Sequence, residues 1–214
     1  MNTFPSQESI KKIFMEHGRP MHIDAGQPLL EKGSPANQLW FIVNGSIKAF
    51  CSNADGDMLT LFYIQNNNLI YVESLVSGME VINDGEAVTP LDVLVLPSRE
   101  FLQLWQKEGG EPEELMRHLI KRIMLYQDVI CTSQYRSSKQ KVTYFLYSQY
   151  HQNGKTVSYT QDQIAEVIGI TRGSVNKVLN ELADEGTISH GYKSISIENP
   201  KRLQERLNSL GYFL

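Results

Sequence analysis

The residues best suited to chemistry lie between Thr160 and Lys177. Thr160-Gln161-Asp162-Gln163 has the Thr-x-x-Gln spacing of a capping box, in which each end satisfies an otherwise unpaired backbone N–H, so a helix starts at Gln161. Ile164, Val167 and Ile168 form its buried face, Ala165 is small where a second helix must cross closely, and Gly169 follows where a tight turn needs a residue without a Cβ. Thr171 then caps a second helix with the apolar face Val175, Val178, Leu179 and Leu182. Helix, glycine turn, helix is a helix-turn-helix, and the chemistry it implies is hydrogen bonding to duplex DNA. Arg172 stands where a bidentate pair can reach guanine O6 and N7. Thr171 and Ser174 offer hydroxyls and N-terminal amides to phosphates, Lys177 can reach a base or a phosphate, and Asn176 shares the outward face. Ile188 to Ile197 reads as two strands around His190-Gly191-Tyr192-Lys193, a basic wing. Thr160 and Lys193 complete the candidate DNA-binding set with Thr171, Arg172, Ser174, Asn176 and Lys177.

Two kinds of element must carry this motif. From about Met21 to Pro97, glycines at 26, 33, 45, 56, 78 and 85 separate short β-rich runs at 39–43, 46–51, 58–64, 69–72 and 91–96, the spacing of an antiparallel sandwich or barrel. Asn44-Gly45 and Asn53-Ala54-Asp55-Gly56-Asp57 mark turns, the second a hairpin tip, and Phe50, Leu59, Leu61, Tyr63 and Leu69 read as core and cross-strand residues. Ser98 reads as the N-cap of a short helix burying Phe101, Leu102 and Trp105 and ending at Gly109-Gly110. Pro112 opens a longer helix whose first turn carries Glu111, Glu113 and Glu114 against the positive helix end. Met116, Leu119, Ile123, Tyr126 and Ile130 step by 3, 4, 3 and 4, a coiled-coil seam suited to pairing with a twin. A second apolar set, Leu115, Ile120, Met124 and Val129, lies beside it. Residues 133–138 lack apolar periodicity and read as a hinge, and a helix over 139–151 buries Val142, Phe145, Leu146 and Tyr150. The expected divisions are a barrel over 1–110, a dimerisation helix over 111–134 and a winged helix-turn-helix over 135–214.

Composition agrees with this plan. The chain of 214 residues, 41% apolar and 21% charged, excludes wholesale disorder. Its net charge of −4 hides an asymmetry: residues 1–134 hold 10 Lys and Arg against 17 Asp and Glu, and residues 135–214 hold 10 against 7. The positive excess of the C-terminal part suits a phosphate partner. No run approaches the roughly 18 apolar residues of a membrane helix, and MNTFPSQESIKKIF lacks the features of a secretory signal, so a cytoplasmic protein without a membrane partner is expected. Cys51 and Cys131 are too few for a disulfide framework or a four-cysteine site, and histidines at 17, 22, 118, 151 and 190 form no metal-ligand spacing, so no metal or cofactor is expected. Gly-x-Ser-x-Gly, His-Glu-x-x-His, P-loop and dinucleotide fingerprints are absent, and a cupin-like enzyme would need a His cluster where His22 stands alone; the expectation is a non-enzyme. A protein-binding adaptor would leave Arg172 and Lys177 without a role.

The order barrel, long helix, winged helix-turn-helix gives an α+β fold class: an antiparallel jelly roll of the cyclic-nucleotide-binding kind, a dimerisation helix and a C-terminal winged helix-turn-helix. Along nearly its whole length the chain resembles the cyclic-AMP receptor protein and fumarate-nitrate regulator superfamily, carried by Phe41-Ile42-Val43-Asn44-Gly45-Ser46-Ile47 and by residues 164–175, Ile-Ala-Glu-Val-Ile-Gly-Ile-Thr-Arg-Gly-Ser-Val. The resemblance implies a homodimeric, effector-controlled transcription factor on a roughly palindromic operator, with RNA polymerase as a further partner.

Departures from the family pattern matter as much. Cyclic-nucleotide-binding members carry a Gly-Glu-Leu phosphate cassette and an Arg-Ser pair; here the matching stretches read Ile70-Tyr71-Val72-Glu73-Ser74-Leu75 and Val81-Ile82-Asn83-Asp84. No arginine neutralises a cyclic phosphate, and Glu80, Asp84 and Glu86 would repel one, so cyclic AMP is not expected. Oxygen-sensing members use an N-terminal cysteine cluster that this chain lacks. The Glu that usually follows the recognition arginine is Gly173, so the operator should differ from the best-known one. The remaining expectation is an effector of unknown identity, a small aromatic or other apolar anion, bounded by Tyr63, Tyr71, Glu73, Tyr126, Val129 and Ile130; some members without the cassette respond to chlorinated aromatic compounds. Redox switching through Cys51 or Cys131, or constitutive activity, is the alternative within the same fold.

Overall fold

A computed structural model describes residues 8–191 and 194–209. Two compact units meet inside the long helix, one ending at Ile123 and the other beginning at Met124.

The first unit opens with α1 (Glu8–His17), followed by β1 (Arg19–Ile23), β2 (Pro28–Leu30), β3 (Gln38–Asn44), β4 (Ser46–Ser52), β5 (Met58–Gln65), β6 (Leu69–Ile70), β7 (Asp84–Ala87) and β8 (Leu91–Pro97). These strands form two antiparallel sheets in the orders β1-β8-β3-β6 and β2-β7-β4-β5, a jelly-roll arrangement. α2 (Ser98–Lys107) follows, then α3 (Pro112–Gln134). Ile10, Phe14, Leu39, Phe41, Leu69, Leu96, Phe101 and Trp105 join α1 and α2 to the first sheet in one core. Phe14 stacks on Phe41 and Phe101 with ring centroids 5.6 and 5.5 Å apart.

The turn expected at Asn44-Gly45 is present, and because β3 and β4 belong to different sheets it is the corner where the chain crosses between them. Glycine is required there because φ is +101° and a Cβ would lie 2.5 Å from the Pro90 carbonyl oxygen. The Asn53–Asp57 tip does join a paired β4 and β5, and the Asn53 carboxamide oxygen accepts from the Asp55 and Asp57 amides at 3.0 and 2.9 Å. Ser98 does not cap α2. Pro97 occupies that position, and the Ser98 hydroxyl is drawn into a buried hydrogen bond of 2.6 Å with the Ser74 hydroxyl. Finally, the strand expected over 69–72 stops at Ile70, because Tyr71 takes a left-handed φ of 60° and Val72–Leu75 coil into a 3-10 turn. Leu61, Tyr63 and Leu69 are buried as expected, whereas Leu59 is exposed, beyond a register shift at Ala49/Phe50 that accompanies the hairpin tip.

The second unit holds the remainder of α3, then α4 (Ser138–Asn153), β9 (Thr156–Val157), α5 (Gln161–Ile168), α6 (Arg172–Asp184), β10 (Ile188–His190), β11 (Ile195–Ile197) and α7 (Pro200–Ser209). β10, β11 and β9 pair antiparallel in the order β10-β11-β9. The expected hinge over 133–138 contracts to three residues, since α3 reaches Gln134 and α4 starts at Ser138. Within it Tyr135 is buried against Tyr144 at 5.3 Å, and Ser137 with Gln140 makes a full capping box.

The division inside α3 follows from what each half is fastened to. In the first half, buried Glu114 accepts the Ile10 amide at 3.2 Å, and Arg122 donates to the Leu69 carbonyl at 3.0 Å while lying over the Phe62 ring. In the second half, Asp128 is bonded to α4. Over its 23 residues, about 35 Å of helix, α3 keeps Met116, Leu119, Ile123 and Ile130 exposed, at 52, 41, 63 and 64%.

Candidate nucleic-acid interface

The helix-turn-helix forms as its spacing requires. The Thr160 hydroxyl accepts from the Gln163 amide at 3.2 Å and the Gln163 side chain accepts from the Thr160 amide at 2.9 Å, closing the capping box on α5. Gly169 ends α5 in the left-handed conformation with φ +64°, and the Ile170 amide closes on the Ala165 carbonyl at 3.1 Å. Thr171 caps α6 by accepting from the Ser174 amide at 3.2 Å. Ile164, Ala165 and Ile168 of α5 and Val175, Val178, Leu179 and Leu182 of α6 are buried.

This packing leaves one face of α6 outward. Arg172, Asn176 and Lys177 are exposed together on it, with Thr171 at its start and the Ser174 hydroxyl 3.0 Å from that of Thr171. Thr160 is half-buried at the head of α5, its oxygen engaged by the cap. Lys193, the remaining member of the expected set, lies outside the described residues. Two neighbours escaped the sequence reading. Asp162 places a carboxylate oxygen 3.6 Å from the Arg172 guanidinium, and Gln161 donates to the Asn176 carboxamide oxygen at 3.3 Å. Their position in the first turn of α5 was legible, but only the crossing of the helices brings them to α6.

The wing strands and the remaining helices brace this surface. His190 on β10 lies 3.1 Å from the Asn180 side chain of α6. Glu198, beyond β11, is held by the Lys155 ammonium at 2.7 Å and by Ser189, and these contacts pull its carboxyl down to about 2. Lys141 on α4 donates to the Ile168 carbonyl at the end of α5 at 3.0 Å, and Lys139 pairs with Glu181 on α6 at 2.8 Å. The hydrogen bond from Lys139 is the main reason the Glu181 carboxyl sits below its ordinary range, with Arg206 and Lys177 adding to it. Both helices of the helix-turn-helix are thus fastened to α4.

α4 is in turn fastened to α3 by a site that the sequence did not announce. Asp128 accepts hydrogen bonds from the Tyr144 hydroxyl at 3.2 Å, the Ser148 hydroxyl at 2.6 Å and the Gln152 side-chain amide at 2.6 Å. Burial raises its carboxyl above the ordinary value, and the three donors work against that shift. Tyr144, Ser148 and Gln152 recur every fourth residue, one polar stripe on α4.

The residues expected to bound an effector fall in both units. In the first, Tyr63 is buried on β5; Tyr71 packs its ring tilted against Trp40 with centroids 5.0 Å apart, donates to the Leu29 carbonyl, and has its hydroxyl pushed up to about 12 by burial and by Glu73. Glu73 accepts from the Ile82 amide at 3.3 Å and so brackets the loop that follows the 3-10 turn. In the second, Tyr126 and Val129 are half-buried on α3 and Ile130 is exposed. Cys51 and Cys131 are half-buried and not joined in a disulfide, and no group of three or more potential metal ligands occurs among the described residues. Nor is any described helix long and apolar enough to cross a membrane.

A jelly roll joined by a long helix to a winged helix-turn-helix defines a class of DNA-binding transcriptional regulators. Comparison with known proteins agrees at both ends of the chain: residues 20–108 match the cyclic nucleotide-binding domain family and residues 140–206 match the Crp-like helix-turn-helix domain family. The global nitrogen regulator of Nostoc sp. is 28% identical over 185 residues, covering 81% of this chain and 82% of its own. Among solved structures, a transcriptional regulator of the CRP/FNR family from Thermus thermophilus is 26% identical with a TM-score of 0.57, covering 90% of this chain and all of that one. FixK2 from Bradyrhizobium japonicum shares the fold at a TM-score of 0.69 and 15% identity, covering 88% and 96%. The chain belongs to the CRP/FNR family, the cyclic-AMP receptor protein and fumarate-nitrate regulators, and is a DNA-binding transcriptional regulator.

Proposed function

We propose that the protein works as a homodimer on a palindromic operator, with Arg172 of each protomer reading guanine. The observation that carries this reading is the outward face of α6, where Arg172, Asn176 and Lys177 stand exposed beyond a capped N-terminus. Thr171 and Ser174 at that terminus take phosphate contacts, and Thr160 at the start of α5 and Lys193, in the sequence between β10 and β11, extend the contact to the backbone. The apolar row Met116, Leu119, Ile123 and Ile130, with half-buried Tyr126 in line, supports pairing of α3 with a second copy, since water-exposed isoleucines at seam spacing are costly in a monomer.

The signal for the switch is a small molecule other than a cyclic nucleotide. Tyr71 and Glu73 support this reading: they stand in the stretch that matches the phosphate cassette of nucleotide-binding relatives, and both are already engaged by the protein itself, Tyr71 by the Leu29 carbonyl on β2 and Glu73 by the Ile82 amide. Tyr63, and Tyr126, Val129 and Ile130 of α3, remain the other candidates for effector contact. Promoter activity would follow from contact with RNA polymerase in the cytoplasm, and the protein itself catalyses no reaction. Sedimentation of the purified protein, followed by titration with duplex DNA at several salt concentrations, tests the core of the proposal. A dimer whose DNA affinity falls steeply with salt is expected; a monomer, or no binding at low salt, overturns it.

A further inference from the structure

Bringing two recognition helices into successive major grooves demands more than a dimer. Each reading helix must stand at a defined height and rotation relative to the long helix, because half-sites recur one helical turn, about 34–36 Å, apart. The covalent link between α3 and α4 is three residues, Tyr135 to Ser137, with Ser137 extended at φ −101° and ψ 147°. The backbone of such a link has two rotatable bonds at each residue, so the contacts made by the side chains in and around it must set the geometry.

The Tyr135–Tyr144 ring pair supplies adhesion without a sharp register. Asp128 supplies the register. Its Oδ2 accepts from Ser148 and Gln152, both at 2.6 Å, its Oδ1 accepts from Tyr144 at 3.2 Å, and Gln152 also donates to the Ser148 oxygen at 2.9 Å. All three donors belong to residues that are more than nine-tenths buried. A slip of α4 by one turn, about 5.4 Å, would separate a half-buried carboxylate from three donors on buried residues, whereas an apolar contact would only repack. From α4 the constraint passes to the reading helices through Lys141 at the end of α5 and Lys139 on Glu181 of α6.

We infer that Asp128 is a positioning residue for DNA recognition: by holding Tyr144, Ser148 and Gln152 it sets where α6 stands along the long helix, and thereby the half-site spacing the dimer accepts. The inference rests on the homodimeric reading. It implies that breaking the clamp loosens the spacing requirement while the surface that reads each half-site stays intact.

The test compares the full-length wild type with Asp128→Ala and with the double variant Ser148→Ala/Gln152→Ala, which removes the two shortest bonds without touching α3. Asp128→Asn, which keeps one acceptor oxygen, is the conservative control. Affinity is measured on duplexes carrying two inverted half-sites whose separation changes one base pair at a time, and on a duplex with a single half-site. Sedimentation and thermal melting establish that each variant is a folded dimer. Wild type is expected to lose at least about tenfold in affinity for a one-base-pair change, since each pair rotates a half-site by about a tenth of a turn. In Asp128→Ala and the double variant that loss should shrink to about threefold or less, with single-half-site affinity within about twofold of wild type and Asp128→Asn in between. An unchanged spacing profile in any folded dimeric variant overturns the inference, as does an equal loss at every spacing and on the single half-site. A wild type that is monomeric, or indifferent to spacing, overturns instead the dimeric reading beneath it. If Asp128→Ala does not fold, the double variant decides by the same criteria.

Discussion

His118 should make the stability of the protein fall between neutral and mildly acidic pH, by an amount that its surroundings set. It lies in α3 at 7% exposure, and its Nε2 finds no hydrogen-bond partner among the described residues. Burial, reinforced by the positive charges of Lys121 and Arg122 on the next turn, disfavours the imidazolium and lowers the pKa from 6.5 to about 4. The unfolded chain therefore takes up a proton at a pH where the folded chain does not. The contribution of the neutral imidazole is fully present above about 6.5 and is lost as pH falls through 4, and the size of the shift corresponds to about 3 kcal/mol. Urea denaturation at pH 7 and pH 4 measures this directly when wild type is compared with His118→Gln. The stability difference between the two pH values should be smaller in the variant by about 3 kcal/mol, because the amide does not titrate. Equal differences in the two proteins would refute the reasoning and show that His118 finds a solvated or paired environment. Exposed His22, whose pKa is raised chiefly by its hydrogen bond to Asp92, shifts in the opposite direction, so replacing it would not mimic the effect.

Other substitutions test separate parts of the molecule. Arg172→Ala should cost about 1–3 kcal/mol at the operator while changing binding to unrelated DNA far less, read by competition titration. Ile123→Glu puts a charge at one of the most exposed seam positions of α3 and should convert the proposed dimer to a monomer in sedimentation velocity. Gly45→Ala should destabilise the barrel by about 2 kcal/mol, since the residue keeps φ +101° and its Cβ would meet the Pro90 carbonyl at 2.5 Å; chemical denaturation reads the loss. Thr160→Ala removes the α5 cap at a cost of about 1 kcal/mol in the same assay.

What was legible beforehand is what local chemistry decides. The capping pair Thr160 and Gln163, the glycine at 169 and the cap at Thr171 each act within one turn of backbone, so α5 and α6 follow from a short stretch of residues. The outward face of α6 followed from the same periodicity. Features set by distant partners were not legible. Asn44-Gly45 has the composition of a hairpin, and only the requirement for two sheets makes it a corner. Ser98 has the chemistry of a cap, yet Ser74 competes for its hydroxyl from 24 residues away. Tyr71 leaves the strand pattern because its hydroxyl is anchored on Leu29 and its ring on Trp40. Asp128 sits beside an apolar seam and looks like a solvated helix residue, since its three donors come from the next helix. The polar stripe Tyr144, Ser148 and Gln152, itself buried on α4, was the one available hint.

Selection of bound sequences from a random duplex pool, run in parallel with wild type and Arg172→Ala, tests DNA reading by α6 most directly. Wild type should enrich an inverted repeat whose half-sites lie about one helical turn apart, with guanines that fade in the Arg172→Ala pool. Enrichment of the same guanines by both proteins would contradict the assignment of Arg172, and the absence of any repeat would contradict recognition by a paired α6.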